Sequence, residues 1–532
     1  MKEFPPKKIM ARPNTCYLPL HLVLALFLLL GCKCRSDHRA AGDRETLLAV
    51  KHDWGNPPKL ASWDPTAAAA DHCSWKGVMC ADAGGVVTGL SLQSLDLTGS
   101  VPASVCALKN ITRLDLSYNN LNGTFPAATL YACSKLRFLD ISNNNFAGAL
   151  PADIDGLSPV MEHLNLSSNL FDGAVPAAVA RLPALKSLYL YINSFTGSYP
   201  AAEISELAGL ESLTLGGNAF APAPVPPEFA KLTKLALLSM DVMDLTGELP
   251  EAFASLTELR VLSMSSNNLT GSIPAWVWQH RKLEHVDLSY NSLSGELAHN
   301  ITAVNLVDLD LSANQLTGEI PAVFGNLKNL ESIFLSGNQF TGLIPVTIAM
   351  LPRLYDFWIA RNQLSGELPP ELGKHSPLGT IAVYNNNLSG PLPTTLCANG
   401  KLDYVYVSNN SFSGELPVNL GDCILLSTLI LDGNLFSGNF PTKLWLLPNM
   451  RDVSIQNNMF TGTLPAKVSS SISRIRIGNN MFSGSIPTSA TGLKVFRADN
   501  NQLSGALPTD MTKLSNLTQL SLRGNRISGP IP

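Results

Sequence analysis

Apolar residues recur along most of this chain in one fixed phrase. Two of them flank a single variable residue, an asparagine follows, then another apolar residue, a glycine and a proline. The phrase reads Leu114-Asp115-Leu116, Asn119, Leu121, Gly123, Pro126, and again Leu309-Asp310-Leu311, Asn314, Leu316, Gly318, Ile320, Pro321. It returns as Ser473 to Pro487, with isoleucine, phenylalanine and methionine in place of some leucines. Apolar residues one apart point to the same face of a short strand, so both are buried and the residues between them are exposed. The asparagine has donors and acceptors for the backbone groups freed where the strand ends. Glycine permits the bend, and the proline turns the chain away from the sheet, where a missing N–H costs nothing.

Between Leu90 and Leu520 about nineteen copies follow one another at a period of about 24 residues, inside the range of leucine-rich repeats. No single copy can bury its own leucines, so the copies must stack into a continuous core. The expected fold is an α/β repeat solenoid: a right-handed superhelix whose parallel β-sheet lines the concave side. At Leu238-Ser239-Met240 the asparagine is replaced by Met243. A local irregularity is expected there, with the backbone groups satisfied by water or by neighbouring strands.

Residues 1–41 read as a secretory leader of uncertain cleavage point. Lys2, Lys7, Lys8 and Arg12 precede the apolar run Leu18 to Leu30, and small residues follow. Residues 42–81 read as a separate N-terminal cap that covers the exposed end of the first coil. Asp43 is expected to cap a helix over Glu45 to Lys51. Residues 82–532 are the repeats, the last of them incomplete. The net charge of −4 becomes more negative without the basic leader, which argues against nucleic acid as a partner. Cys16, Cys32 and Cys34 lie in or beside the leader, which leaves six of the nine cysteines for an oxidising compartment. A Cys73–Cys80 bridge would staple the cap. Spacing favours Cys106–Cys133 and Cys397–Cys423, each about one repeat apart and on the outer side, while some remaining as free buried thiols is the alternative. Asn-x-Ser/Thr sequons at Asn110, Asn122, Asn165, Asn268, Asn300, Asn387, Asn409 and Asn516 suggest a glycoprotein.

The leader, the E-x-x-x-L-L-x-x-K cap helix, the W-x-G-V-x-C segment at Trp75 to Cys80 and the G-x-I-P repeats resemble plant leucine-rich-repeat receptor kinases. Within these the chain resembles the HAESA-like group of peptide receptors, over essentially the whole mature chain. The resemblance implies a secreted peptide as ligand, a shorter leucine-rich-repeat co-receptor kinase as a further partner, and a location at the outer face of the plasma membrane. It also implies further repeats, a transmembrane helix and a Ser/Thr kinase beyond Pro532, since no kinase motif occurs in this sequence. Relatives of that branch hold a peptide's terminal carboxylate with R-x-R in the repeat after the outer cysteine pair. Here Thr428 and Ile430 occupy those places, and Arg474-x-Arg476 lies two repeats further on.

The exposed strand positions tile the concave face, which a solenoid leaves open to a partner. Most carry Ser, Asp or another polar residue. Two groups differ. One is an aromatic stripe, Phe334, Trp358, Tyr384, Tyr404 and Tyr406; the other is basic, Arg474, Arg476 and Arg497, with Arg523 beyond. The arginines are expected either to fork onto a ligand carboxylate or to pair with Asp452 or Asp499 along the sheet. A linear peptide of 10–14 residues is long enough to run from the Trp358 strand to the Arg497 strand, by about 5 Å per strand and about 3.3 Å per peptide residue. The histidines stand singly, with His285 near Asp287 but no nucleophile, and no G-x-S-x-G or H-E-x-x-H motif occurs. Catalysis, a cofactor and a metal site are therefore not expected. The competing readings are a secreted leucine-rich-repeat or receptor-like protein that binds another protein, such as an inhibitor of cell-wall-degrading enzymes, and a structural repeat protein.

Overall fold

The computed structural model describes residues 37–531 except 65, 67–71, 82–84, 488, 508 and 509. Residues 1–36, which hold most of the expected leader and its three cysteines, lie outside the described residues.

The cap begins with a helix at Asp37–Asp53, ahead of the expected start and inside the stretch read as the leader's tail. Asp43 does not cap it. The residue lies within the helix, and its carboxylate accepts from the Val87 N–H at 2.8 Å, tying the helix to the first repeat strand. Leu47 and Val50 are buried beneath it. Trp63 and Trp75 stack at 6.0 Å, and the Trp54 indole N–H donates to the Ser100 carbonyl at 3.0 Å, which anchors the cap to the first coil. Cys73 and Cys80 are joined, and Val78–Cys80 pairs antiparallel with Val87–Ser91.

From there twenty of the described strands form one sheet in which every pairing except that first one is parallel. Each L-x-L phrase supplies a strand of three residues, such as Arg113–Asp115 or Arg474–Arg476, with its leucine or isoleucine buried. The asparagines form the expected ladder. Asn144, for example, donates to Leu116 O at 2.9 Å and Ile141 O at 3.1 Å, while its oxygen accepts from Leu121 N at 2.9 Å. One side chain thus satisfies backbone groups of two coils, and this repeats down the solenoid.

At Met243 the ladder is mended by the next coil. Asn267 accepts from Met243 N at 2.9 Å and from Leu245 N at 3.0 Å. The same device operates at the first repeat, where Leu95 stands in the asparagine's place and Asn119 accepts from both Leu95 N and Leu97 N. The concave sheet keeps its register past this point. The irregularity appears instead in the second, lateral sheet, which stops at Ala219–Phe220 and restarts at Ala223–Pro224.

The core is one apolar column. Phe146, Phe171, Phe195 and Phe220 stack ring on ring at 6.1–6.4 Å, and Phe412, Phe436 and Phe460 repeat the motif. On the outer side single turns of 3₁₀-helix follow the I-P element, as at Ala103–Ala107 after Pro102. Two disulfides, Cys106–Cys133 and Cys397–Cys423, join neighbouring coils there.

Candidate functional site

Strand register decides which exposed side chains meet. Phe334, Trp358, Ala382 and Tyr406 stand opposite one another on four successive strands. Phe334 and Trp358 approach to 6.2 Å between ring centroids. Trp358 and Tyr406 approach to 6.1 Å although a whole strand separates them, because the intervening residue is Ala382. Tyr404 stacks on Tyr406 at 6.0 Å. Burial, and after it the neighbouring Tyr404, pushes the Tyr406 phenol up to about 12.

Tyr384 does not join this group. It lies two residues past Ala382, beyond the end of the Thr380–Ala382 strand, and its ring is faced by the Arg361 guanidinium at 5.9 Å. Tyr355, which the sequence pattern does not single out, lies beside this group: it precedes the first strand position of its repeat and its ring rests on Gly379 of the next coil. The repeat frame carries its signal one position upstream of the strand.

The arginines occupy the other end of the face. Arg474 and Arg476 both reach Asp452 on the preceding strand, at 3.3 Å and 3.4 Å, one to each carboxylate oxygen. Of the two expected partners, Asp452 takes both guanidiniums. Asp499 instead accepts from the Ser521 hydroxyl at 2.5 Å and from Arg523 N at 3.1 Å. Arg497 stands directly across from Arg476 on the next strand. Like charges opposite one another repel, so an anion resting between them would be stabilised. Between the aromatic and basic groups lie Thr428 and Ile430, and beside them Asp432, whose carboxyl is raised chiefly by burial; Ser454 Oγ lies 2.8 Å from both its oxygens.

The N-terminal strands carry a third array. The Arg113 guanidinium lies 3.5 Å over the Phe138 ring, which stacks on His163 at 4.2 Å, and His163 meets Tyr189 edge-on at 5.2 Å. Burial lowers the His163 imidazole below its usual value. His285 pairs with Asp308 on the adjacent strand at 2.8 Å, not with Asp287; this bond raises its affinity for a proton. Asp287 accepts from Ser289 instead.

Asn165 is a poor glycan acceptor. It lies on the concave face with 9% of its surface exposed, donates to Asp140 at 2.8 Å and accepts from Ser167. Asn122, Asn268, Asn300, Asn387, Asn409 and Asn516 are exposed, and Asn110 is half-buried. In the cap, His72 lies beside Cys73 and Cys80, but those sulfurs are spent on their disulfide and His72 Nε2 lies 2.7 Å from Gly85 O.

Family models match three stretches: a leucine-rich repeat region at 107–364, a leucine-rich repeat N-terminal domain at 40–81, and a leucine-rich repeat at 401–423. Among solved structures, the Arabidopsis receptor kinase HAESA, in complex with the peptide hormone IDA and the co-receptor SERK1, is 33% identical. The match has a TM-score of 0.85 and covers 93% of this chain and 87% of that one. The LRR receptor-like serine/threonine-protein kinase GSO2 of Arabidopsis thaliana is 34% identical over 125 residues, which are 22% of this chain and 9% of that protein. Polygalacturonase inhibitor 1 of Oryza sativa is 36% identical over 97 residues, 18% of this chain and 28% of the inhibitor. The matched stretches span only 8–12% of the length of the curated Arabidopsis receptor proteins. Among the described residues no helix is long and apolar enough to cross a membrane.

Proposed function

The chain belongs to the leucine-rich-repeat ectodomains of plant receptor kinases, and on that premise we propose that it senses a secreted linear peptide held along its concave face. The observation that carries the reading is likeness throughout the solenoid to the HAESA ectodomain, whose solved complex contains a peptide hormone. The concave chemistry supports it. Clustered rings at Phe334, Trp358, Tyr404 and Tyr406 would cover apolar peptide side chains, and Arg474, Arg476 and Arg497 would receive its terminal carboxylate, with Asp452 holding two of them in position meanwhile.

In this reading the kinase lies outside these 532 residues, and a shorter leucine-rich-repeat co-receptor joins the complex as SERK1 does for HAESA. The ectodomain faces the cell exterior and carries glycans on the exposed sequons but not on Asn165. Binding to a cell-wall-degrading enzyme is the second reading, favoured by the match to the rice polygalacturonase inhibitor.

The test is selection. Secreted ectodomain is incubated with a pool of random synthetic peptides of about 12 residues, long enough to cross from the rings to the arginines, half with free carboxyl ends and half amidated. The expected result is enrichment of free acids. Failure to retain any peptide, together with retention of a polygalacturonase, would replace the first reading with the second.

A further inference from the structure

One strand in the middle of the concave sheet presents only small residues. Thr380 and Ala382 lie on the side that opens to solvent, with Gly379 just before them, yet Thr380 is 5% exposed and Ala382 0%. Their cover comes from their neighbours. A Cβ built on Gly379 would fall 2.2 Å from Tyr355 Cζ, so the tyrosine ring lies on the glycine. Above Ala382 the rings of Trp358 and Tyr406 lean together from either side to 6.1 Å. Sealed in with them is the Trp358 indole N–H, which has no acceptor among the described residues.

Rings standing upright on strands two spacings apart would be about 9.6 Å from each other. A flat ring inserted between them needs about 7–8 Å for its two van der Waals contacts. As they stand the rings close this space at 6.1 Å; turned upright, they would leave room above Ala382 for one planar side chain and no second layer. An orphaned buried donor calls for a partner, and rings already in contact in series favour an aromatic guest over a branched aliphatic one.

We propose that this strand is the floor of an aromatic-accepting slot. A peptide lying on the concave face inserts one aromatic side chain between Trp358 and Tyr406, and the displaced indole N–H donates to a backbone carbonyl of the same peptide. The proposal rests on the peptide reading above and adds its specificity. Four strand spacings separate the slot from Arg476, about 19 Å, or about six residues of extended chain. The aromatic residue thus belongs about six places before the peptide's carboxyl end.

The experiment repeats the free-acid peptide selection on the parent, Ala382→Trp, which fills the slot, and Trp358→Phe, which keeps a ring but removes the N–H. The parent is expected to enrich Phe, Tyr, Trp or His at that fixed distance. Ala382→Trp should lose this preference at least tenfold while still favouring acids over amides. Trp358→Phe should keep it, with affinity lowered about fivefold, the worth of one neutral hydrogen bond. If Ala382→Trp is not secreted, Tyr406→Leu, which removes one wall, takes its place with the same expected loss. Enriched peptides without an aromatic residue at a fixed distance, or an unchanged preference when the slot is filled, would overturn the slot and leave the peptide reading intact. No enrichment by the parent would overturn both.

Discussion

The aromatic and basic groups of the concave face differ in what they do when nothing is bound. The rings cover one another: Trp358 crosses a full strand to reach Tyr406, and in doing so hides Ala382. The guanidiniums of Arg474 and Arg476 are satisfied by a residue of opposite kind, Asp452, while Arg497, one strand on, faces Arg476. A ring cluster that closes on itself must be opened by a ligand, so it can discriminate by shape. A charged cluster with one member left over is already receptive, so it can attract by charge. The two regions are therefore suited to different tasks on one track.

The largest effect should come from disturbing the spacing between them. Asn434 belongs to the repeat that separates the groups; it donates to Val407 O and Leu431 O at 3.0 Å and accepts from Phe412 N at 3.0 Å. Asn434→Ala orphans three buried backbone groups and should cost about 3 kcal/mol of unfolding free energy, read from the urea midpoint. A loss under about 1 kcal/mol, the net worth of a single hydrogen bond, would mean that water replaces the ladder at this coil.

A smaller effect sharpens the charge side of the comparison. Asp452 competes with any incoming carboxylate for Arg474 and Arg476. Asp452→Asn should therefore tighten binding of an enriched free-acid peptide by about tenfold, the strength of one charge-assisted hydrogen bond, and leave the amide form unchanged. Weaker binding would instead make Asp452 a support that holds the arginines in place.

The smallest is a pH effect confined to the boundary between the groups. Burial raises the Asp432 carboxyl, so the unfolded chain gives up this proton first and the folded state binds more protons in between. The contribution to stability is complete below the ordinary carboxylate value, about 3.9, and is lost as pH rises through the raised one. Asp432→Asn should flatten the parent's decline in that window; parallel curves for parent and variant would remove the effect.

How far the sequence could be read follows from the same contrast. The repeat frame identifies each strand, each ladder asparagine and the concave positions, because a period of two within a period of about 24 leaves little choice of face. It also names Asp452 and Asp499 as possible partners for the arginines, and only the geometry assigns both guanidiniums to Asp452. It does not reveal that Tyr384 stands apart with Arg361, or that the important feature of the aromatic group is an absence of bulk at Gly379 and Ala382. Large residues announce themselves in a sequence. A gap between them is visible only when adjacent strands are laid side by side. The exchange of Asp43 from helix cap to acceptor for Val87 N has a related cause: local capping signals compete with a contact to a distant strand that local sequence does not contain.

Whether the concave face is one track that ends at the arginines can be decided by a single titration. An enriched peptide is measured calorimetrically against the parent ectodomain in free-acid and amidated forms. Removal of one partner from a buried charge contact costs about 2–5 kcal/mol, so amidation should weaken binding about thirtyfold or more. Equal affinity of the two forms would leave Arg474 and Arg476 as solvated residues paired with Asp452 and would contradict the track.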